Sequence, residues 1–194
     1  MAVQREVQGA EVYTPSSMNQ LKNFVKNGLD SSTIINIIVS FDSNFEEFQR
    51  KGFTFPFHRF FYHEVSWSET VGILINHHKF TKEEAVVSLK KIITQFSLQK
   101  IIRVDSDELF ERLVEEANQR LVQRFNTPRL KIGDNDIIII AGFLRENINF
   151  VHSGDEGFLK TCDELGINIV PLSRGDFEKE KEIKGWMKKG RRGQ

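Results

Sequence analysis

The chain has 194 residues, the length of one ordinary domain with or without an appendage. Lys+Arg and Asp+Glu both number 27, so the formal charge is zero. That speaks against a protein that coats nucleic acid through overall basicity and leaves room for a local basic patch. A single cysteine, Cys162, excludes an intrachain disulfide and a multi-cysteine zinc site, and as a lone thiol it reads as a small buried hydrophobe. No apolar run reaches the ~18 residues of a membrane span, and the N-terminus lacks the apolar core of a signal peptide. The expectation is a soluble cytoplasmic protein with no membrane contact.

In chain order, residues 1–20 read as a flexible arm and 174–194 as a charged basic tail, flanking one domain over 21–173. Leu21, Phe24 and Val25 begin a helix or an irregular first strand, and Asn27-Gly28 is a turn signal. The β-branched set Ile34, Ile35, Ile37, Ile38 and Val39 suits a strand or a buried helix capped by Asp30 or by Ser31 and Ser32, and local pattern does not decide. Asp42-Ser43-Asn44 reads as a turn, and 45–50 as a short helix. The Phe-rich stretch 53–61 reads as extended and as core or an oligomer surface.

Ser66-Trp67-Ser68-Glu69 has capping-box spacing and predicts a helix starting there, running to His77-His78. Thr81 and Glu84 mark a second helix start. The pattern predicts a strand over 101–104, an amphipathic helix over 105–125, a loop over 126–133, and a helix opened by Asp136. A short strand over 148–151, a helix over 158–165 stopped by Gly166, and a last strand over 167–172 broken by Pro171 complete the chain. Strands alternating with helices imply an α/β fold with a mainly parallel sheet.

In such a sheet chemistry collects at the C-terminal ends of the strands. Asp136 opens its helix and Asp155 follows the strand before it, so both approach that edge. Converging carboxylates suggest an oxygen-ligand site for a hard cation, since packing like charges without one is costly. Taken singly, each acid serves equally well as a helix cap or a first-turn residue. The five histidines form no metal motif, and His77-His78 point to different sides of a helix.

Four short motifs resemble those of PIN-domain ribonucleases, and they stand in that family's order. Leu29-Asp30-Ser31-Ser32-Thr33-Ile34-Ile35 looks like the opening motif, an Asp followed by Ser and a helix. Ser66-Trp67-Ser68-Glu69 resembles the second acidic position. Asp136-Ile137-Ile138-Ile139-Ile140-Ala141 is similar to the third, and Val151-His152-Ser153-Gly154-Asp155 with Phe158 to the fourth. Asp42 competes with Asp30, Glu64 with Glu69, and Asp134 with Asp136. Glu69 follows Asp30 by 39 positions and Asp42 by 27, and the longer interval leaves room for a helix, a connection and a strand.

The resemblance implies a three-layer α/β/α fold and a divalent-metal-dependent endoribonuclease, similar to the VapC-type toxins of toxin–antitoxin pairs. It implies Asp30, Glu69, Asp136 and Asp155 as ligands of Mg²⁺ or Mn²⁺, with Ser32 and Ser153 as orienting hydroxyls in the same catalytic set. Arg120, Arg124, Arg129 and Lys131 precede Asp136 and are candidates for RNA phosphate contact, although a solvated helix face is the commoner role for such residues. RNA and a protein antitoxin are the implied partners, and the Phe-rich stretch 53–61 suits a homodimer surface or an antitoxin-binding surface. A nuclease of RNA processing, or a PIN-like interaction module without catalysis, fits the same motifs.

Overall fold

The computed structural model describes residues 24–39 and 58–171. The arm over 1–20, the tail over 174–194, Asp42 with its turn, the short helix over 45–50 and Phe53, Phe55 and Phe57 lie outside the described residues. Five strands form one parallel sheet: β1 (Val25–Leu29), β2 (His58–His63), β3 (Gln99–Ile101), β4 (Phe150–Ser153) and β5 (Asn168–Pro171). Their order is β3-β2-β1-β4-β5. The described helices are α1 (Ser31–Val39), α2 (Glu64–His78), α3 (Lys82–Gln95), α4 (Asp107–Phe125), α5 (Asp134–Arg145) and α6 (Glu156–Glu164).

The helices cover both sheet faces. On one, Phe61, Ile101 and Val151 pack against Val114 of α4, Ile139, Ile140 and Phe143 of α5, and Phe158 and Cys162 of α6. On the other, Leu29, Phe60 and Tyr62 pack against Ile34 and Ile37 of α1 and Leu89 and Ile92 of α3. The fold is therefore a three-layer α/β/α sandwich, the arrangement that buries both faces of a parallel sheet. No described helix is long and apolar enough to cross a membrane.

Several boundaries differ from the sequence expectations, each for a physical reason. Asn27-Gly28 is the middle of the central strand and not a turn. Gly28 lets the Phe143 ring lie on the strand, since a Cβ there would come within 2.8 Å of the ring. Asn27 is buried, and its side chain meets His58 Nδ1 at 3.0 Å and His152 Nε2 at 3.1 Å. Polar ties thus replace the apolar alternation that would have announced the strand. The ambiguous stretch after Asp30 is a helix, α1.

Helix α2 begins at Glu64, with His63 Nδ1 accepting the Val65 N–H, so Ser66 lies inside the helix and caps nothing. Strand β3 ends at Ile101, leaving Ile102 and Val104 exposed. Strand β4 runs two residues further than expected, to Ser153. Phe60 and Phe61 are buried on opposite sides of the sheet, so both belong to the core. Pro171 is the last described residue of β5, on the edge strand of the sheet, where a missing N–H is tolerated.

Candidate active site

The chain runs from β1 outward through β2 and β3, then returns to the other side of β1 with β4 and β5. Neighbouring strands whose connections leave in opposite directions open a crevice at their C-terminal ends. Here those neighbours are β1 and β4, and their ends carry Asp30 and Ser153.

Asp30 follows β1 directly. Its N–H donates to His152 O at 3.1 Å, extending the ladder by one step, and its carbonyl accepts the first helical bond from Ile34. The carboxylate is only 3% exposed. Ser32 Oγ and Ser153 Oγ both donate to Oδ2, at 2.7 and 2.8 Å, and the Ser31 N–H donates to Oδ1 at 2.6 Å. Both hydroxyls are aimed by backbone donors. Gly154 N–H donates to Ser32 Oγ at 2.9 Å, and Asp155 N–H to Ser153 Oγ at 3.0 Å. With its acceptor role filled from the backbone, each serine directs its proton at Asp30. Burial pushes the Asp30 pKa up, and the serine hydrogen bonds oppose it.

Asp155 is the N-cap of α6, with Oδ1 accepting the Phe158 N–H at 2.7 Å. Asp136 lies in the first turn of α5, and its Oδ2 accepts the Gly133 N–H at 3.0 Å. Each cap uses one carboxylate oxygen. The loop between α4 and α5 is held tightly against α6. Asn118 Nδ2 donates to Leu130 O at 2.8 Å and to Thr161 Oγ1 at 2.9 Å, and a Cβ on Gly157 would come within 2.9 Å of Leu130 O. The relative placement of Asp136 and Asp155 is set by that packing.

Glu69 arrives from the second turn of α2. Its Oε2 accepts from Ser31 Oγ at 2.6 Å and its Oε1 from Asn135 Nδ2 at 2.8 Å. The spacing that singled out Glu69 reflected no helix start, yet the residue reaches this rim. Its rival Glu64 opens α2 and faces β3, accepting the Arg103 N–H at 3.0 Å. Asp134 is exposed at the first residue of α5.

The four acids influence one another. Burial raises the Asp136 pKa first of all; the Gly133 hydrogen bond opposes it, and the charges of Asp30, Asp155 and Glu69 push it further, to about 7. Among the described residues, no Lys or Arg forms an ion pair with any of the four. Carboxylate and hydroxyl oxygens with uncompensated repulsion suit a hard divalent cation. Among the described residues, however, no three His, Cys, Asp or Glu side chains are already arranged around one ion. The acids share a rim, and their present hydrogen bonds point them at serines, an asparagine and helix amides.

The basic candidates divide. Arg124 forms a two-pronged pair with Glu164, at the end of α6 opposite Asp155. Arg120 pairs with Glu116 along α4 at 3.9 Å. Arg129 lies 3.7 Å from Glu156, beside Asp155, and Lys131 is exposed on the same loop. His152 is buried under the rim with its pKa lowered to about 4, by burial and by His58. Cys162 is fully buried and its thiol pKa is pushed up by that burial. Sequence reasoning missed Ser31 as a partner of Glu69, and it missed Asn135 altogether. Nothing in the sequence marks Asn135 beyond its position before Asp136.

The class of the fold is an α/β/α sandwich around a five-stranded parallel sheet. The fold is PIN-like, as solved structures of VapBC proteins show. The Rickettsia felis VapBC2 structure, bound to a DNA fragment from their promoter, matches with a TM-score of 0.52 at 12% identity, over 75% of this chain and 98% of that one. The DNA-bound VapBC structure from Salmonella typhimurium matches at 0.50 and 16%, over 76% of this chain and 98% of that one. No protein-family model matches the sequence, and no curated protein matches it significantly.

Proposed function

We propose that the chain is a divalent-metal-dependent endoribonuclease that hydrolyses RNA phosphodiester bonds at this rim. One observation carries the reading: Asp30, Glu69, Asp136 and Asp155 come from four separate segments, and three of them raise the pKa of the fourth. They are the acids that Mg²⁺ or Mn²⁺ would use, with Asp136 and Asp155 each keeping one oxygen outside its helix cap. A bound cation of this kind supplies positive charge against the phosphate and acidifies water in its shell. Ser32 and Ser153 hold Asp30 in one direction. Burial and the neighbouring acids hold the Asp136 pKa at about 7, and a cation at the rim would favour its charged form. Arg129 and Lys131 flank the rim and suit contact with RNA phosphates.

The likeness to VapBC structures supports a toxin role with a protein antitoxin as partner. Co-expression with a small protein from an adjacent reading frame should suppress cleavage. The central test is cleavage of single-stranded RNA in Mn²⁺ by wild type and by Asp136→Asn. Equal activity in both removes the assignment.

A second reading is favoured by one feature. Asp30 and Glu69 have both oxygens bonded to local donors, and among the described residues no three acids are arranged around an ion. An interaction module that has lost catalysis would look like this. Calorimetric titration with Mn²⁺ separates the two, because an inert scaffold should take up no Mn²⁺ at these acids.

A further inference from the structure

Resting on the metal-dependent reading of the rim, we propose that Asn135 is a positioning residue that, opposite Ser31, fixes the direction of Glu69. Three elements meet at this glutamate. It belongs to α2, its Oε2 is held by Ser31 of α1 at 2.6 Å, and its Oε1 by Asn135 of α5 at 2.8 Å. A long, partly buried glutamate otherwise samples several rotamers, and two anchors on different helices remove that freedom.

The two anchors are not equivalent. Ser31 is buried, and its Oγ also lies 3.1 Å from Asp30 Oδ1, so its single proton is contested by two carboxylates. Among the described residues, the amide of Asn135 donates to Glu69 without such competition. Asn135 directly precedes Asp136, so its bond ties the second acid to the helix turn that carries the third. Both anchors are neutral. They orient the carboxylate and leave its charge intact, where a Lys or Arg would cancel the charge that a cation needs. Asn135 is exposed, so its side chain contributes little to folding and can be removed cleanly.

The test is Mn²⁺ titration by calorimetry on the full chain in four forms: wild type, Asn135→Ala, Glu69→Ala and the double variant, with thermal unfolding of each as the folding control. Wild type should bind Mn²⁺, and Asn135→Ala should bind about tenfold more weakly with an unchanged unfolding temperature. In the Glu69→Ala background, Asn135→Ala should change nothing further, because Asn135 acts through Glu69. Equal Mn²⁺ affinity for wild type and Asn135→Ala overturns the proposal. So does an Asn135→Ala effect that persists without Glu69. If wild type itself takes up no Mn²⁺, the metal-dependent reading fails first and this inference with it.

Discussion

Replacing Asp136 by Asn keeps the side-chain size and an acceptor for the Gly133 N–H, and removes the charge. Folding moves this carboxyl from 3.8 to about 7. The folded protein therefore binds the proton more tightly than the unfolded chain, and stability falls as pH rises across that interval. At ~1.4 kcal/mol per pH unit the ceiling is about 4 kcal/mol at pH 8. Asp136 is partly exposed, and solvent screening brings the expected cost to roughly 2 kcal/mol. In metal-free buffer with chelator, urea unfolding of wild type and Asp136→Asn should give nearly equal stabilities at pH 4. At pH 8 the variant should be the more stable by roughly 2 kcal/mol. Groups common to both proteins, such as buried Asp30 and His152, largely cancel in the difference. Excess Mn²⁺ should stabilise wild type at pH 8 and have little effect on the variant. A variant that is equally or less stable than wild type at pH 8 would refute the claim that repulsion and burial load this rim.

Four further outcomes are expected. Gly28→Ala places a Cβ within 2.8 Å of the Phe143 ring in the central strand, and urea unfolding should show a loss of about 1–3 kcal/mol. Arg145→Leu strips the partner from Asp107, which is 1% exposed and held at 2.7 Å, and should cost about 3–5 kcal/mol in the same assay. His152 titrates at about 4 when folded against 6.5 ordinarily, so its contribution is complete above pH 6.5 and is lost as pH falls towards 4. His152→Gln should remove that acid-side loss, at most about 3 kcal/mol, from the pH–stability curve. Glu69→Asp withdraws the carboxylate by one methylene from Ser31 and Asn135, and should lower RNA cleavage in Mn²⁺ about 10–100-fold.

The long, periodic helices were legible because their apolar faces announce them: Thr81 with Glu84 marked the start of α3, and Gly166, at φ +81°, the stop after α6. The central strand was not. Its middle is Asn27-Gly28, where hydrogen bonds to two histidines and a stacked phenylalanine ring replace apolar side chains. These are long-range partners that no local window contains. At the rim, Asp155 was legible because it stands where a strand gives way to a helix, and Asp136 because it opens a strongly apolar helix; Asp30 came into view only through its motif. Glu69 was reached through a capping pattern that the structure does not use. The ligand geometry was the least legible part, because which oxygen faces which neighbour depends on serines and amides from other segments.

The choice of acid at each position follows from where its helix begins. Asp30 precedes α1, Asp155 caps α6 and Asp136 sits in the first turn of α5, so a short side chain suffices at each. At these positions the positive ends of three helix dipoles also offset part of the carboxylate repulsion. Helix α2 starts at Glu64, a full turn before Glu69, and that distance from the helix end removes most of the dipole benefit. The extra methylene of glutamate covers the gap, and the flexibility it brings must be countered by other residues. Ser31 and Asn135 stand where that restraint is needed, one on each side of the carboxylate. The position that sequence pattern located for the wrong reason is thus the one whose geometry depends most on residues outside its own helix.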